Sequence, residues 1–247
     1  MLTEERHHKI LALVNQKGSI TVSELKDLLG ISESTARRDI VSLDKMGRLE
    51  KVFGGALAIK EEVLTVEPTV SQKADLCIEE KRAIAEHASG LIEPSDLVYV
   101  DSGTTTLALV RRLPQISGAV FVTNGIAHAE ALNAAGNKVI LIGGELKNVT
   151  EAIVGTTAVL MIQQFRFTKG FFGVNGISRR AGLTTPEYNE ALVKQEAMRH
   201  CQNCYVLADS SKFHKASAVT FGDISHATII TEKIPDGYQN YPNIISC

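Results

Sequence analysis

Residues 31–40 read Ile31-Ser32-Glu33-Ser34-Thr35-Ala36-Arg37-Arg38-Asp39-Ile40. Ser32 suits a helix N-cap. Ala36, Ile40 and Leu43 then follow at helical spacing, so they share one face. At about 100° per residue, Ser34, Arg38, Val41 and Lys45 point the other way, with Arg37 at the flank. Such a helix buries one stripe and lays the other in a DNA major groove. There Arg donates two bonds to guanine or holds phosphates.

The flanking sequence completes a module. Thr3 reads as the cap of a first helix, with Glu4 and Glu5 in its first turn and Ile10, Leu11, Leu13 and Val14 as its buried stripe. Lys17-Gly18 stops it. Thr21-Val22-Ser23-Glu24 matches a capping box, and Gly30 suits the C′ position after Leu25, Leu28 and Leu29. Two short helices joined by a tight Gly-containing turn form a helix-turn-helix. The third helix is expected to end near Met46-Gly47. Beyond it, alternation around Gly54-Gly55 predicts a β-hairpin, and hence a winged helix-turn-helix over residues 1–58. The DNA-facing candidates are Ser32, Ser34, Thr35, Arg37, Arg38 and Lys45, with Arg48 and Lys51 near the wing for phosphates. Asp39 reads as a structural partner to an Arg rather than a base reader.

Bulk properties bound the rest. The 247-residue chain has a formal net charge of −2, which argues against indiscriminate coating of nucleic acid. Residues 1–58 carry nine Lys/Arg against eight Asp/Glu, so any DNA face must come from placement of charge rather than from a basic tail. No apolar run reaches membrane-spanning length, and Met1-Leu2-Thr3-Glu4-Glu5-Arg6 lacks the order of a signal peptide. No membrane partner and a cytoplasmic location are expected. Four cysteines do not suggest a disulfide framework.

Residues 59–72, with Pro68 and no periodicity, read as a linker, and a long helix is expected from about Lys73 to Leu91. From Asp96 the pattern becomes strand, loop, helix, repeated. Apolar strands are expected at Leu97–Val100, Ala119–Val122, Lys138–Ile142, Phe171–Val174, Tyr205–Ala208 and, last, Ala227–Ile230. Helices between them imply a mainly parallel sheet covered on both faces, an α/β domain over residues 73–247. Ligands of such sheets sit at the C-terminal strand ends. Those ends carry Asp101-Ser102-Gly103-Thr104-Thr105, Thr123-Asn124, Gly143-Gly144-Glu145, Asn175-Gly176 and Asp209-Ser210-Ser211-Lys212. A Gly-containing loop opening a helix offers N–H groups and hydroxyls to an anion. A small phosphorylated polyol suits the set. No Walker-type or Gly-x-Gly-x-x-Gly motif is present, and Cys201-Gln202-Asn203-Cys204 lacks a second pair for zinc, so neither a cofactor nor a metal is indicated.

Both halves resemble one family. Glu5-Arg6, Thr21-Val22-Ser23-Glu24-Leu25, Ser34-Thr35-x-Arg37-Arg38-Asp39-Ile40 and Gly54-Gly55-Ala56 are similar to the DNA-binding domain of the DeoR family of bacterial repressors. At the wing the family usually has Arg-x-His-Gly-Gly-Ala where this chain has Lys51-Val52-Phe53-Gly54-Gly55-Ala56, and Ala36 replaces a usual β-branched residue. Asp101-Ser102-Gly103-Thr104-Thr105, Gly173-Val174-Asn175-Gly176-Ile177, Gly182-Leu183-Thr184-Thr185-Pro186, Glu190-Ala191-x-Val193-Lys194 and Asp209-Ser210-Ser211-Lys212-Phe213 resemble its effector domain, which is itself similar to sugar-phosphate isomerases. The resemblance implies a repressor of a sugar-metabolism operon, bound to double-stranded operator DNA as a dimer or tetramer and controlled by a phosphorylated sugar. It places phosphate near Ser102–Thr105 and sugar contacts near Asp101, Asn124, Glu190, Lys194 and Lys212, with Gly144, Asn175 and Asp209 as further effector candidates. Glu190 and Lys194 are also spaced as an exposed i,i+4 helix pair. A rival reading is an isomerase with an accessory DNA-binding domain, in which Glu190, Asp101 and Lys194 or Lys212 serve as acid/base and electrostatic groups. An isomerase needs no helix-turn-helix, which favours the regulator.

Overall fold

Capping and burial build the N-terminal part of the chain from α1 (Thr3–Lys17), β1 (Ser19–Thr21), α2 (Val22–Leu29), α3 (Glu33–Lys45), β2 (Glu50–Val52) and β3 (Gly55–Leu57). The computed structural model describes residues 1–59, 62–64 and 68–247, so the expected linker lies outside the described residues at 60, 61 and 65–67. Two units are formed, Met1–Glu62 and Val63–Cys247.

In the first unit, Thr21 and Glu24 form the reciprocal capping box of α2, and Ser32 caps α3 by accepting from Thr35 N–H at 3.2 Å. Gly18 and Gly30 end α1 and α2 in the left-handed region. At the start of α1 the N-cap is Leu2 rather than Thr3. The Leu2 carbonyl takes the first helical bond, from Arg6 N–H, and no side chain caps the end. Ser19–Thr21 is a strand that pairs antiparallel with β3, and β3 pairs on with β2. Ile10, Val14, Leu25, Ile40, Leu43 and Leu49 are among the side chains of the resulting core. Gly55 is required there, because a Cβ at that position would lie 2.2 Å from the Ile20 carbonyl oxygen. Asp39 is buried and takes two bonds from Arg6, at 2.5 and 3.0 Å, tying α3 to α1 across the core. Burial opposes ionisation of Asp39, but Arg6 and His7 more than offset it and hold the carboxyl below its ordinary range.

The strand β4 (Glu62–Val63) lies at the boundary of the units, and α4 (Val70–Ala74) and α5 (Ile78–Ser89) follow in the second. The single helix expected from Lys73 is therefore two. A Thr69–Gln72 capping box starts α4 early, and Cys77, with φ of 52°, breaks the run. The central sheet contains β5 (Leu97–Val100), β6 (Val120–Thr123), β7 (Lys138–Leu141), β10 (Phe167–Gly173), β13 (Cys201–Leu207), β16 (Thr228–Thr231) and β17 (Ile244–Ser246). The strand β17 follows the one expected to be last; its apolar run is only Ile244-Ile245, too short to stand out. Strand order is β17-β16-β13-β10-β5-β6-β7, and every pairing is parallel.

Alternate residues serve opposite faces. Val98, Val100 and Phe171 join a core with α5, α6 (Thr104–Arg112) and α7 (Ile126–Ala134), whereas Tyr99 and Phe172 join one with α8 (Thr156–Ile162) and α9 (Tyr188–Arg199). Short strands β8 (Glu145–Lys147) and β9 (Ala152–Val154) pair antiparallel, and β11 (Gly176–Ser178), β12 (Gly182–Thr185) and β15 (Val219–Gly222) form a small antiparallel sheet; β14 (Lys215–Ala216) precedes β15. From β5 the chain winds to β6 and β7, then returns to β10 on the other side of β5. The strand order reverses there, so a crevice opens at the C-terminal ends of β5 and β10.

The Arg6–Asp39 pair predicts a non-additive cycle. Arg6→Ala and Asp39→Ala should each lower the thermal midpoint of the N-terminal unit by about 5 °C, and the double variant by little more than either. Circular-dichroism melts of the four proteins measure the coupling; additive losses would show the pair makes no joint contribution.

Candidate functional site

In the N-terminal unit, Ser32, Ser34, Arg37, Arg38, Lys45, Arg48 and Lys51 are exposed and Thr35 is half-buried. The Ser32 hydroxyl is engaged in capping, and it bridges Ser34 and Thr35 at 2.9 Å each. Arg38 Nε donates to the Ser34 carbonyl at 3.2 Å, and Arg37 lies 3.6 Å from Glu33. Both guanidinium groups therefore rest on weak exposed contacts that a phosphate or base edge can replace. Lys51 N–H donates to Asp44 Oδ1 at 3.1 Å, which fixes the wing to the end of α3.

In the second unit, the crevice between β5 and β10 holds a cleft of about 610 Å³, open mouth included. Ser102, Gly103, Thr104, Thr105, Asn175, Glu190, Lys194 and Lys212 of the expected set line it. Thr104 and Thr105 open α6, whose first N–H groups have no partner within the helix. The helix dipole adds positive potential at that end.

Behind this lining lies a buried frame. Asp101 Oδ2 accepts from Gly173 N–H at 3.0 Å and from the Lys194 ammonium, which also donates to the Gly173 carbonyl at 3.1 Å. Asp101 Oδ1 is buried without a hydrogen-bond partner among the described residues. Burial pushes the Asp101 carboxyl above its ordinary range despite the pull of Lys194. Glu190 and Lys194 are 6% and 5% exposed, so they are not a solvated helix pair. The Glu190 carboxylate accepts from Thr150 Oγ1 at 2.5 Å and Thr185 Oγ1 at 3.2 Å, with Lys147 Nζ also at 3.2 Å. Burial would raise its pKa, but Lys194, Thr150 and Lys147 together hold it below its ordinary value.

Four expected residues stand off the cleft lining. Asp101 lies behind Lys194. Asn124 Oδ1 accepts from Ser102 N–H at 2.7 Å while its amide donates to the Ile153 carbonyl, so its side chain holds the loop. Asp209 is buried, caps the following turn and sits 3.7 Å from Lys212. Gly144 packs against β9, where a Cβ would lie 2.5 Å from the Val154 carbonyl oxygen; close approach explains the glycine there. Conversely, Val70, Lys73, Thr150, Gly173 and Val174 line the cleft and were missed. The Thr69-x-x-Gln72 capping signal marks α4, but nothing local says that α4 walls a ligand site. Cys201 and Cys204 are half-buried against the core, and no cluster of three metal-ligating side chains occurs among the described residues.

A DNA-reading helix with a wing, joined in one chain to an α/β unit with a cleft at its topological switch point, is the architecture of a ligand-responsive DNA-binding regulator. Residues 6–62 match the DeoR-like helix-turn-helix domain and residues 76–233 the DeoR C terminal sensor domain. The chain is 40% identical to the HTH-type transcriptional regulator FruR of Bacillus subtilis (strain 168), itself uncharacterized, over 97% of this chain and 96% of that protein. It is 33% identical to the lactose phosphotransferase system repressor of Staphylococcus epidermidis, over 89% of this chain and 88% of the other. A looser likeness, at a TM-score of 0.39 and 11% identity, links 54% of the chain to 53% of ribose 5-phosphate isomerase A from Methanocaldococcus jannaschii. The protein belongs to the DeoR family of transcriptional regulators.

One buried group beside the cleft is a histidine, whose ordinary pKa lies near neutrality. His128, on α7, is 4% exposed, and its Nε2 lies 3.0 Å from Thr106 Oγ1 and 3.1 Å from the Gly103 carbonyl. Thr106 Oγ1 in turn donates to the Asp101 carbonyl at 2.7 Å. Burial pushes the imidazole down to about 4, so it is neutral at pH 7. Below the ordinary His pKa of about 6.5 the unfolded chain takes up a proton that the folded chain refuses. Stability therefore falls as pH drops from about 6.5 towards 4, by up to about 3 kcal/mol from this group. Melts between pH 7 and 4.5 should show His128→Gln losing less stability over that window than the wild type. Parallel curves would remove His128 as the source.

Proposed function

We propose that this regulator represses a sugar-metabolism operon and that a phosphorylated sugar in the second unit's cleft controls it. The observation that carries the reading is the convergence of the α6 N-terminus, Ser102 and the hydroxyls of Thr104 and Thr105 with Lys212 and Lys194 on one cleft. The phosphate sits at the helix start, where N–H groups, hydroxyls and the Lys212 ammonium meet it. The sugar hydroxyls reach towards Asn175 and Glu190. Such a regulator works beside the chromosome, in the cytoplasm, and as a homo-oligomer presents two recognition helices to half-sites about one helical turn apart or multiples of it.

The cleft is read as a sensor rather than a catalyst. A general base for isomerisation needs a carboxylate tuned towards neutral pH and free to reach substrate. Both Glu190 oxygens are engaged and its pKa is lowered, while Asp101 stands behind Lys194. Incubation with aldose and ketose phosphates should give no interconversion. By linkage, operator DNA weakens binding of an inducer by the same factor that the inducer weakens operator binding.

Two variants test the two ends of the chain. Lys212→Ala should weaken the thermal stabilisation given by a phosphorylated sugar, with affinity lower by about tenfold, and leave the free sugar's small effect unchanged. Equal stabilisation of both variants would place the phosphate elsewhere. Arg38→Ala should flatten discrimination between operator and random duplex in a binding titration if it reads a base, or weaken both equally if it holds phosphate. Unchanged binding to both removes Arg38 from the interface.

A further inference from the structure

Phe53 is fully exposed, at 108% of its reference area, and belongs to no core cluster. It sits at the tip of the β2–β3 hairpin, in a two-residue turn closed by the Val52–Gly55 pair. That turn is held rigidly. Gly54 takes the positive φ, +82°, that the turn demands, and its carbonyl accepts from Val22 N–H at 2.9 Å, at the start of α2. Gly55 lies hard against the Ile20 backbone, and Lys51 N–H is tied to Asp44 at the end of α3. The backbone that carries this bare aromatic ring is thus held in a defined place. A lone exposed apolar side chain is ordinary. One at the apex of a fixed turn, flanked by the exposed cations Lys51 and Arg48 on a module that binds DNA, has a specific use.

We propose that Phe53 enters the DNA minor groove beside the major-groove segment occupied by α3 and wedges against a base step. The inference rests on α3 lying in the major groove. The minor groove is about 6 Å wide, too narrow for a two-stranded ribbon but open to a single side chain at a turn. Its walls are sugar C–H groups, and an apolar ring inserted there partly unstacks a step and kinks the duplex. Lys51 and Arg48 neutralise the phosphates on either side of the groove. Pyrimidine–purine steps unstack most easily, so the wing adds selection by deformability to the base reading of α3. Phe53 is then a specificity-determining residue that makes no hydrogen bond.

An apolar wedge and a phosphate contact differ in salt dependence. A neutral ring releases no counterion, so its removal leaves the slope of log K against log salt unchanged, whereas loss of a phosphate-bound lysine lowers it by about one. The probe is a duplex selected by the full-length protein from a random-sequence pool, labelled at both ends for energy transfer. Phe53→Ala should bind it about tenfold more weakly with an unchanged salt slope and a smaller bend. Phe53→Leu should keep most of both properties, and Lys51→Ala should lower the slope. Because Phe53 is fully exposed among the described residues, the fold is not at risk. Wild-type affinity and bend in Phe53→Ala, an unbent duplex in the wild-type complex, or a lowered salt slope in Phe53→Ala would each overturn the wedge. A change in oligomer mass in Phe53→Ala without DNA would also overturn it, by giving the ring to a second copy. If α3 itself were misplaced, Arg38→Ala would leave selection of the duplex intact whatever Phe53 does.

Discussion

The buried pair of Lys194 and Asp101 joins three elements that are far apart in sequence: the end of β5, the end of β10 and the first turns of α9. Burying two charges is costly unless further hydrogen bonds complete them. Here Gly173 gives its N–H to Asp101 and its carbonyl to Lys194, so the backbone of β10 closes the arrangement. The reversal of strand order makes this possible, since it alone sets β5 and β10 side by side with their C-terminal ends exposed to a common crevice. Remove the lysine and a carboxylate is left buried without its countercharge. The ends of β5 and β10 and the start of α9 meet at this one contact.

The loop itself is positioned from behind rather than from the cleft. Asn124 holds Ser102 N–H, Thr106 holds the Asp101 carbonyl, and His128 reaches Thr106 and the Gly103 carbonyl. Three neighbouring elements therefore fix a short run of backbone whose outward N–H groups remain available. A loop held this way is ordered without a ligand, which would reduce the ordering cost of binding one.

Much of this was legible because it is local. The Ser32 cap, the Ala36–Ile40–Leu43 stripe and the polar residues following each apolar strand are short-range patterns, and each lies where helix or strand periodicity puts it. What escaped depends on distant chain meeting. Asn124 has the chemistry of a sugar ligand, yet its partners are the Ser102 and Ile153 backbones. Glu190 and Lys194 have the spacing of an exposed pair, yet packing buries both. Thr150 reaches the cleft only because the segment after β8 turns back over α9, bringing it to Glu190. Periodicity reports which face of an element is apolar; it carries no record of which polar side chain the rest of the chain will cover.

The missed residues Val70 and Lys73 bear on control. Both belong to α4, the first helix after the region that joins the two units, and both line the cleft. Val70 N–H also approaches the Val149 carbonyl at 3.4 Å, beside Thr150, so α4 and the segment holding Glu190 form one wall. Upstream, Leu64 N–H donates to the Ala216 carbonyl, anchoring the start of the unit. An occupant acts on an equilibrium only through contacts that differ between its states. A ligand that reaches Val70 or Lys73 would make such contacts with α4, the first helix after the joining region. A ligand confined to the Ser102–Thr105 loop would meet a backbone already fixed by Asn124, Thr106 and His128, and would have little to move.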